Sequence, residues 1–167
     1  RKFDELEGEH PGAPNRAMVL LDNAKPHNPR VFLRGNPGSK GEAVPRRFVA
    51  VLSGKEREPF GGGSGRLEMA RAIGDPKNPL TARVMVNRVW QQLFGSGLVN
   101  TPSDFGVRAE PPSHPGLLDF LAADFVETGW SVKALIRGIV TSSTYCQGES
   151  SQPEYAGRDP DNRLLWQ

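Results

Sequence analysis

The residue types best suited to chemistry gather in one part of the sequence: Arg83, Asn87 and Arg88, then Asp104, Arg108 and Glu110, with Trp90 among them. Two arrangements of this set make physical sense. In the first, Arg83 or Arg88 lies half buried on a broad apolar helix. Asp104 or Glu110 then neutralises it, and the charge-assisted hydrogen bonds fix the loop that carries the carboxylates. In the second, Asn87, Arg88, Trp90 and Asp104 line a groove where an indole face and a planar guanidinium hold a sugar or a carboxylate. Asp104 and Glu110 are then the carboxylates at hand for acid and base work, which would make the domain hydrolytic. Arg34 is a further ligand-binding candidate, because the Gly-rich stretch from Arg34 to Gly41 can offer backbone N–H groups and a guanidinium to an anion. A plain tight turn explains the same residues. No catalytic residue is assigned.

Other chemistries find less to work with. The histidines His10, His27 and His114 lie far apart in differing contexts, so no metal motif and no cofactor are expected. His114 reads most simply as a helix cap or a surface residue. The single Cys146 excludes an intrachain disulfide and a cysteine-based cluster, and it has no neighbouring His to activate it. The run Gly61-Gly62-Gly63-Ser64-Gly65 leads into a helix but lacks the Gly-Lys-Ser/Thr ending of a phosphate loop, which leaves a hinge. Lys and Arg outnumber Asp and Glu by only 21 to 19, so neither nucleic acid nor an anionic membrane is indicated as a partner. The apolar runs, such as Met18 to Leu21, fall far short of the roughly 20 residues a spanning helix needs, so direct membrane insertion is not expected.

The elements that must position these residues follow from periodicity and boundary chemistry. Across 167 residues the apolar share is 37%, and most large side chains come after Gly63. Residues 1–63 therefore read as a strap with an irregular β and loop segment, and residues 64–167 as a helical domain with an extended C-terminal tail. Arg1 to Asn15 is the strap. Ala17–Leu21 and Val31–Leu33 are expected to pair as strands across the loop from Asn23 to Pro29, and Arg46–Leu52 to form a third strand or a single helical turn. Four helices are expected. The first is short, with Ser64 as N-cap and Arg66 to Ile73 in the helical period. The central one runs from Pro79 to Phe94, capped by Asn78 and stopped by Gly95. After a structured loop pinned by Phe105, the third opens at Pro115 behind Ser113 or His114 and ends near Gly129. The fourth is capped by Ser131 and closes at Thr141–Thr144, and Gln147 to Arg163 reads as a surface tail. The fold class is mainly α (α+β), about four helices with a small irregular β segment at the N-terminus. The apolar ending Leu164-Leu165-Trp166 reads as part of a larger protein from which this is a fragment.

Several stretches together resemble a known family. They are Gly65-Arg66-Leu67-Glu68-Met69-Ala70, the run Asn78-Pro79-Leu80-Thr81-Ala82-Arg83-Val84-Met85-Val86-Asn87-Arg88-Val89-Trp90, Thr101-Pro102-Ser103-Asp104-Phe105-Gly106, Gly129-Trp130-Ser131 and Ser142-Ser143-Thr144-Tyr145. Arg34-Gly35-Asn36-Pro37-Gly38 with Val44-Pro45-Arg46, and Asp159-Pro160-Asp161-Asn162-Arg163-Leu164-Leu165-Trp166, extend the match over nearly the whole chain. The sequence resembles domain of unknown function 1553, the C-terminal domain of large planctomycete-type proteins. The resemblance implies a secreted parent with a companion domain and often an N-terminal c-type cytochrome domain, hence an exported (periplasmic or cell-surface) location. It implies no catalytic residue. The expected function is a structural or binding module partnered by other domains of the parent chain. The alternatives are a carbohydrate- or anion-binding domain and a docking surface for the cytochrome domain.

Overall fold

The structure, a computed structural model, describes residues 11, 18–54, 57–148 and 153–166. Of the expected N-terminal strap only Pro11 falls among them, and His10 and Ala17 lie outside. The chain divides into two compact units, one of Arg1–Arg46 and Pro59–Leu67, the other of Arg47–Glu58 and Glu68–Gln167. Six helices and one two-stranded antiparallel sheet are present among the described residues, so the protein is mostly helical with a small β part.

The first unit holds the sheet. Strand β1 (Arg30–Phe32) pairs with β2 (Lys40–Ala43), Arg30 opposite Ala43 and Phe32 opposite Lys40. Turn chemistry closes it: Leu33–Gly35 makes one 3-10 turn with Arg34 at φ 53° and Gly35 at φ 74°. Asn36 Oδ1 then accepts the Gly38 N–H at 2.9 Å. The expected pairing of Ala17–Leu21 with Val31–Leu33 is therefore corrected, since Met18–Leu21 forms no strand and the partner of β1 comes after it. The reason is local. The Arg34–Gly41 turn folds β2 straight back on β1, whereas Pro26 and Pro29 interrupt the other connection. Asp22, next to Leu21, is bound instead to Ser64 and Arg66.

The expected strand or helical turn over Arg46–Leu52 is a helical turn in the second unit, α1 (Ala50–Ser53), which Gly54 ends at φ 77°. Helix α2 (Arg66–Ile73) is joined to α3 (Thr81–Phe94) through Asn78. Its amide donates to the carbonyls of Ala72 and Ile73, and its Oδ1 accepts from Leu80 N at 3.0 Å, so one side chain serves two helix ends. Helix α3 starts two residues after the expected Pro79 and ends, as its sequence indicates, where Gly95 N–H bonds Gln91 O. Its buried face is Ala82, Val86, Asn87 and Trp90. Helix α4 (Pro115–Glu127) opens on its proline and buries Leu118, Leu121, Ala122 and Phe125. His114 holds its N-cap position but makes no side-chain cap bond. Helix α5 (Val132–Val140) is capped by Ser131 Oγ, which accepts from Ala134 N at 3.3 Å, and buries Leu135 and Ile139.

These three helices and the loop residues Leu98 and Val99 make one apolar core, with half-buried Phe105 and Leu165 packed against it. Burial of this area, at about 25 cal/mol per Å², is the main stabilising term. The described part of the C-terminal tail forms α6 (Pro153–Arg158), then a turn in which Asp159 accepts from the amides of Arg163 and Leu164.

Candidate functional site

Asn87 and Arg88 are consecutive on α3 and meet opposite environments. Asn87 is fully buried, and its amide spans the edge of the core: Nδ2 donates to Val99 O at 3.0 Å and Oδ1 accepts from Val99 N at 2.8 Å. It thereby satisfies both backbone groups of a buried loop residue. Gly97 makes room for this, because a Cβ there would meet Val99 O at 2.5 Å and Asn87 Nδ2 at 2.8 Å. Arg88 is exposed and has no hydrogen-bond or ion-pair partner among the described residues.

The other members of the polar set are dispersed. Arg83 Nε donates to Asp119 Oδ1 at 2.7 Å and its Nη1 to Pro79 O at 2.6 Å, so α3 is tied to α4 and to its own entry. Its acidic partner thus comes from α4, and neither Asp104 nor Glu110 serves. Glu110 stands 3.6 Å from Arg163. Asp104 is exposed and shapes its own turn, accepting the Gly106 N–H at 2.8 Å. Trp90 is buried and stacks on Phe94 with ring centroids 4.1 Å apart. Arg34 belongs to the hairpin turn of the first unit.

Hollows on the second unit separate these side chains further. Trp90 borders a small polar hollow of about 60 Å³ with Asn100, Asp161 and Arg163. Arg83 and Glu110 border another of about 330 Å³, next to Phe105 and Asp119. Arg88 borders the largest of these three, an apolar groove of about 570 Å³ floored by Leu80, Val84, Met85, Phe125 and Trp130. The expected set Asn87, Arg88, Trp90 and Asp104 is therefore not gathered around any of these three hollows. Val84, Met85 and Trp130 belong to the groove, and none of them was among the ligand-binding candidates read from the sequence. A signal existed in the apolar surface of α3, which is wider than one core-facing stripe requires.

Nothing in the sequence pointed to Asp22 of the first unit. Its carboxylate accepts from Ser64 N at 2.8 Å and from Ser64 Oγ, and it pairs with Arg66. The hydrogen bonds from Ser64, with the help of Arg66, bring its carboxyl down to about 2 from an ordinary 3.8. Gly63, at φ 51°, leaves the space that the carboxylate fills.

Among the described residues no group of three His, Cys, Asp or Glu is placed to hold a metal ion, and no helix is long and apolar enough to cross a membrane. A family model described as PSD1, protein of unknown function (DUF1553), matches residues 65–167, well over half of the chain. The upstream motif from Arg34 to Arg46 lies outside the matched residues. No curated protein and no solved structure matches the chain.

Proposed function

The chain belongs to the PSD1 family of proteins of unknown function (DUF1553), and from that membership we propose that it works as a structural or binding module of an exported, multidomain bacterial protein. One contrast carries the reading. Arg83, Asn87 and Glu110 have partners within the chain, while large apolar side chains stand in solvent. Arg83 is held by Asp119, Asn87 by Val99 and Glu110 by Arg163. Met18, Val19, Leu20 and Leu21 are 102%, 71%, 84% and 81% exposed. Four consecutive exposed apolar residues are the composition of a contact surface, since each would gain by leaving water.

The partners of that surface are other domains of the same parent. The resemblance to planctomycete-type proteins is what supports export, and a docking surface for a c-type cytochrome domain is the alternative it suggests. The carbohydrate- or anion-handling alternative draws on Arg34 and Arg88, both exposed and without partners among the described residues.

Lysine cross-linking of the intact parent tests the module reading. Lys25, four residues beyond Leu21, should join lysines of other domains, and Leu20→Asp combined with Leu21→Asp should remove those links. Links from Lys25 that stay within this chain, or that survive the double substitution, would overturn it. Links to the cytochrome domain would identify it as the partner.

A further inference from the structure

We propose that the groove bordered by Arg88 binds an amphipathic carboxylate, a small molecule with an alkyl or aryl body and one anionic head. Size and lining set the body. A hollow of about 570 Å³ is in the range of small-molecule sites, and Ile73, Leu80, Val84, Met85, Phe125 and Val132 offer it apolar contact.

Charge sets the head. Arg88 is the one charged residue of the lining, which contains no Asp or Glu. It has no partner among the described residues, and its own helix cannot supply one, because α3 carries no acidic residue anywhere along its length. The remaining polar side chains of the lining do not compete for an anion. Thr81 Oγ1 already donates to Ile73 O at 2.6 Å, and the Trp130 indole N–H has no acceptor among the described residues. The groove therefore presents a cation with no carboxylate in its lining to meet it, and a ligand carboxylate supplies what is missing.

Trp130 adds a second observation. It sits at φ 61°, a left-handed conformation costly for a bulky residue, directly after Gly129 at φ 71°. The surroundings enforce it: Trp130 N–H bonds Phe125 O at 2.8 Å, and the two rings meet edge to face with centroids 5.4 Å apart. Strain of this kind is retained where the surrounding structure over-determines it, and it clusters at ligand sites. Here it sets an indole in the wall of the groove.

None of the groove residues belongs to the Met18–Leu21 run, so this site and the module reading fail independently. Calorimetric titration of the intact protein with laurate, dodecanol and dodecyltrimethylammonium, each below its micelle or solubility limit, tests the site. Laurate should bind about tenfold or more tightly than dodecanol, the advantage of one charge-assisted contact, and the ammonium should not bind. Arg88→Gln, at an exposed position without partners, should leave the fold intact and reduce laurate to the level of dodecanol. Met85→Glu places a carboxylate one turn before Arg88, at i,i+3, and should abolish laurate binding. Equal binding of laurate and dodecanol, an Arg88→Gln variant that keeps the preference, or no binding of laurate overturns the proposal. So does self-association that hides the groove in sedimentation.

Discussion

In the helical unit the buried hydrophobic side chains form one cluster that runs from Ala82 to Ile139, whereas the hairpin unit buries no hydrophobic side chain among its described residues. The hairpin unit is tied by polar contacts instead. Asp22 holds Ser64 and Arg66, Arg46 holds Asn28 Oδ1 and donates to Gly63 O at 2.7 Å, and Arg30 donates to Gly41 O at 3.1 Å. The difference has an energetic meaning. Burial of apolar area contributes cooperatively across a whole cluster, while an exposed hydrogen bond contributes little net because water competes for both partners. A unit whose described contacts are chiefly of the second kind opens locally at low cost. That fits the proposed need of its exposed apolar residues for a neighbour.

The strongest way to break the comparison is to attack the core. Leu135 is 2% exposed at the centre of α5, and Leu135→Ala should cost about 2–5 kcal/mol, read as a fall in the thermal midpoint of the helical signal. An unchanged midpoint would mean that the cluster does not hold the unit together. A smaller loss is expected at the polar edge of the same core. Asn87→Ala leaves the Val99 N–H and C=O buried without partners and should cost about 1–3 kcal/mol in chemical denaturation. Gly97→Ala should fall in the same range, because its Cβ meets the two ends of that bridge. If Asn87→Ala were neutral, water would be replacing the amide and the loop would not depend on it.

How much of this was legible in the sequence depends on how far apart the interacting residues lie. Helix ends are set by local chemistry, so Pro115, Gly95, Gly129 and Ser131 marked them correctly, as did the wide apolar surface of α3. The choice of hairpin partner was also local, but two turn-like stretches competed, and the better turn won. Asn87 was visible as a polar residue on an apolar helix. Its role was not, because its partner Val99 is twelve residues away in a loop without a periodic pattern. Asp22 was invisible for the same reason, since its contact with Ser64 spans 42 positions. The family signature marked Asn87 and Arg88 together. Only packing against Leu98 and Val99 decides that one is turned inward and the other is left at the groove.

The smallest effect sharpens the comparison from the hairpin side. In the folded chain the Asp22 carboxyl titrates at about 2, and its ordinary value is 3.8. A depressed value means that the fold prefers the ionised form, so Asp22 contributes its full stabilisation above about 3.8 and loses it as the pH falls through about 2. Acidification from neutral pH to about 4 should leave this tie intact, and the step from there toward 2 should release it. NMR titration of the side-chain carboxyl gives the midpoint directly, and limited proteolysis between β2 and α2 reads the release. Asp22→Asn keeps an acceptor for Ser64 but removes the charge that Arg66 meets. It should raise cleavage in the hairpin unit at neutral pH to the level the native chain reaches only in acid, with no further rise on acidification. Gly63→Ala should act similarly by crowding the carboxylate out of its place. A midpoint near 3.8 would show that Ser64 and Arg66 do not hold Asp22 in solution, and the hairpin unit would then rest on its turn, its strand pairing and the Arg30 and Arg46 contacts.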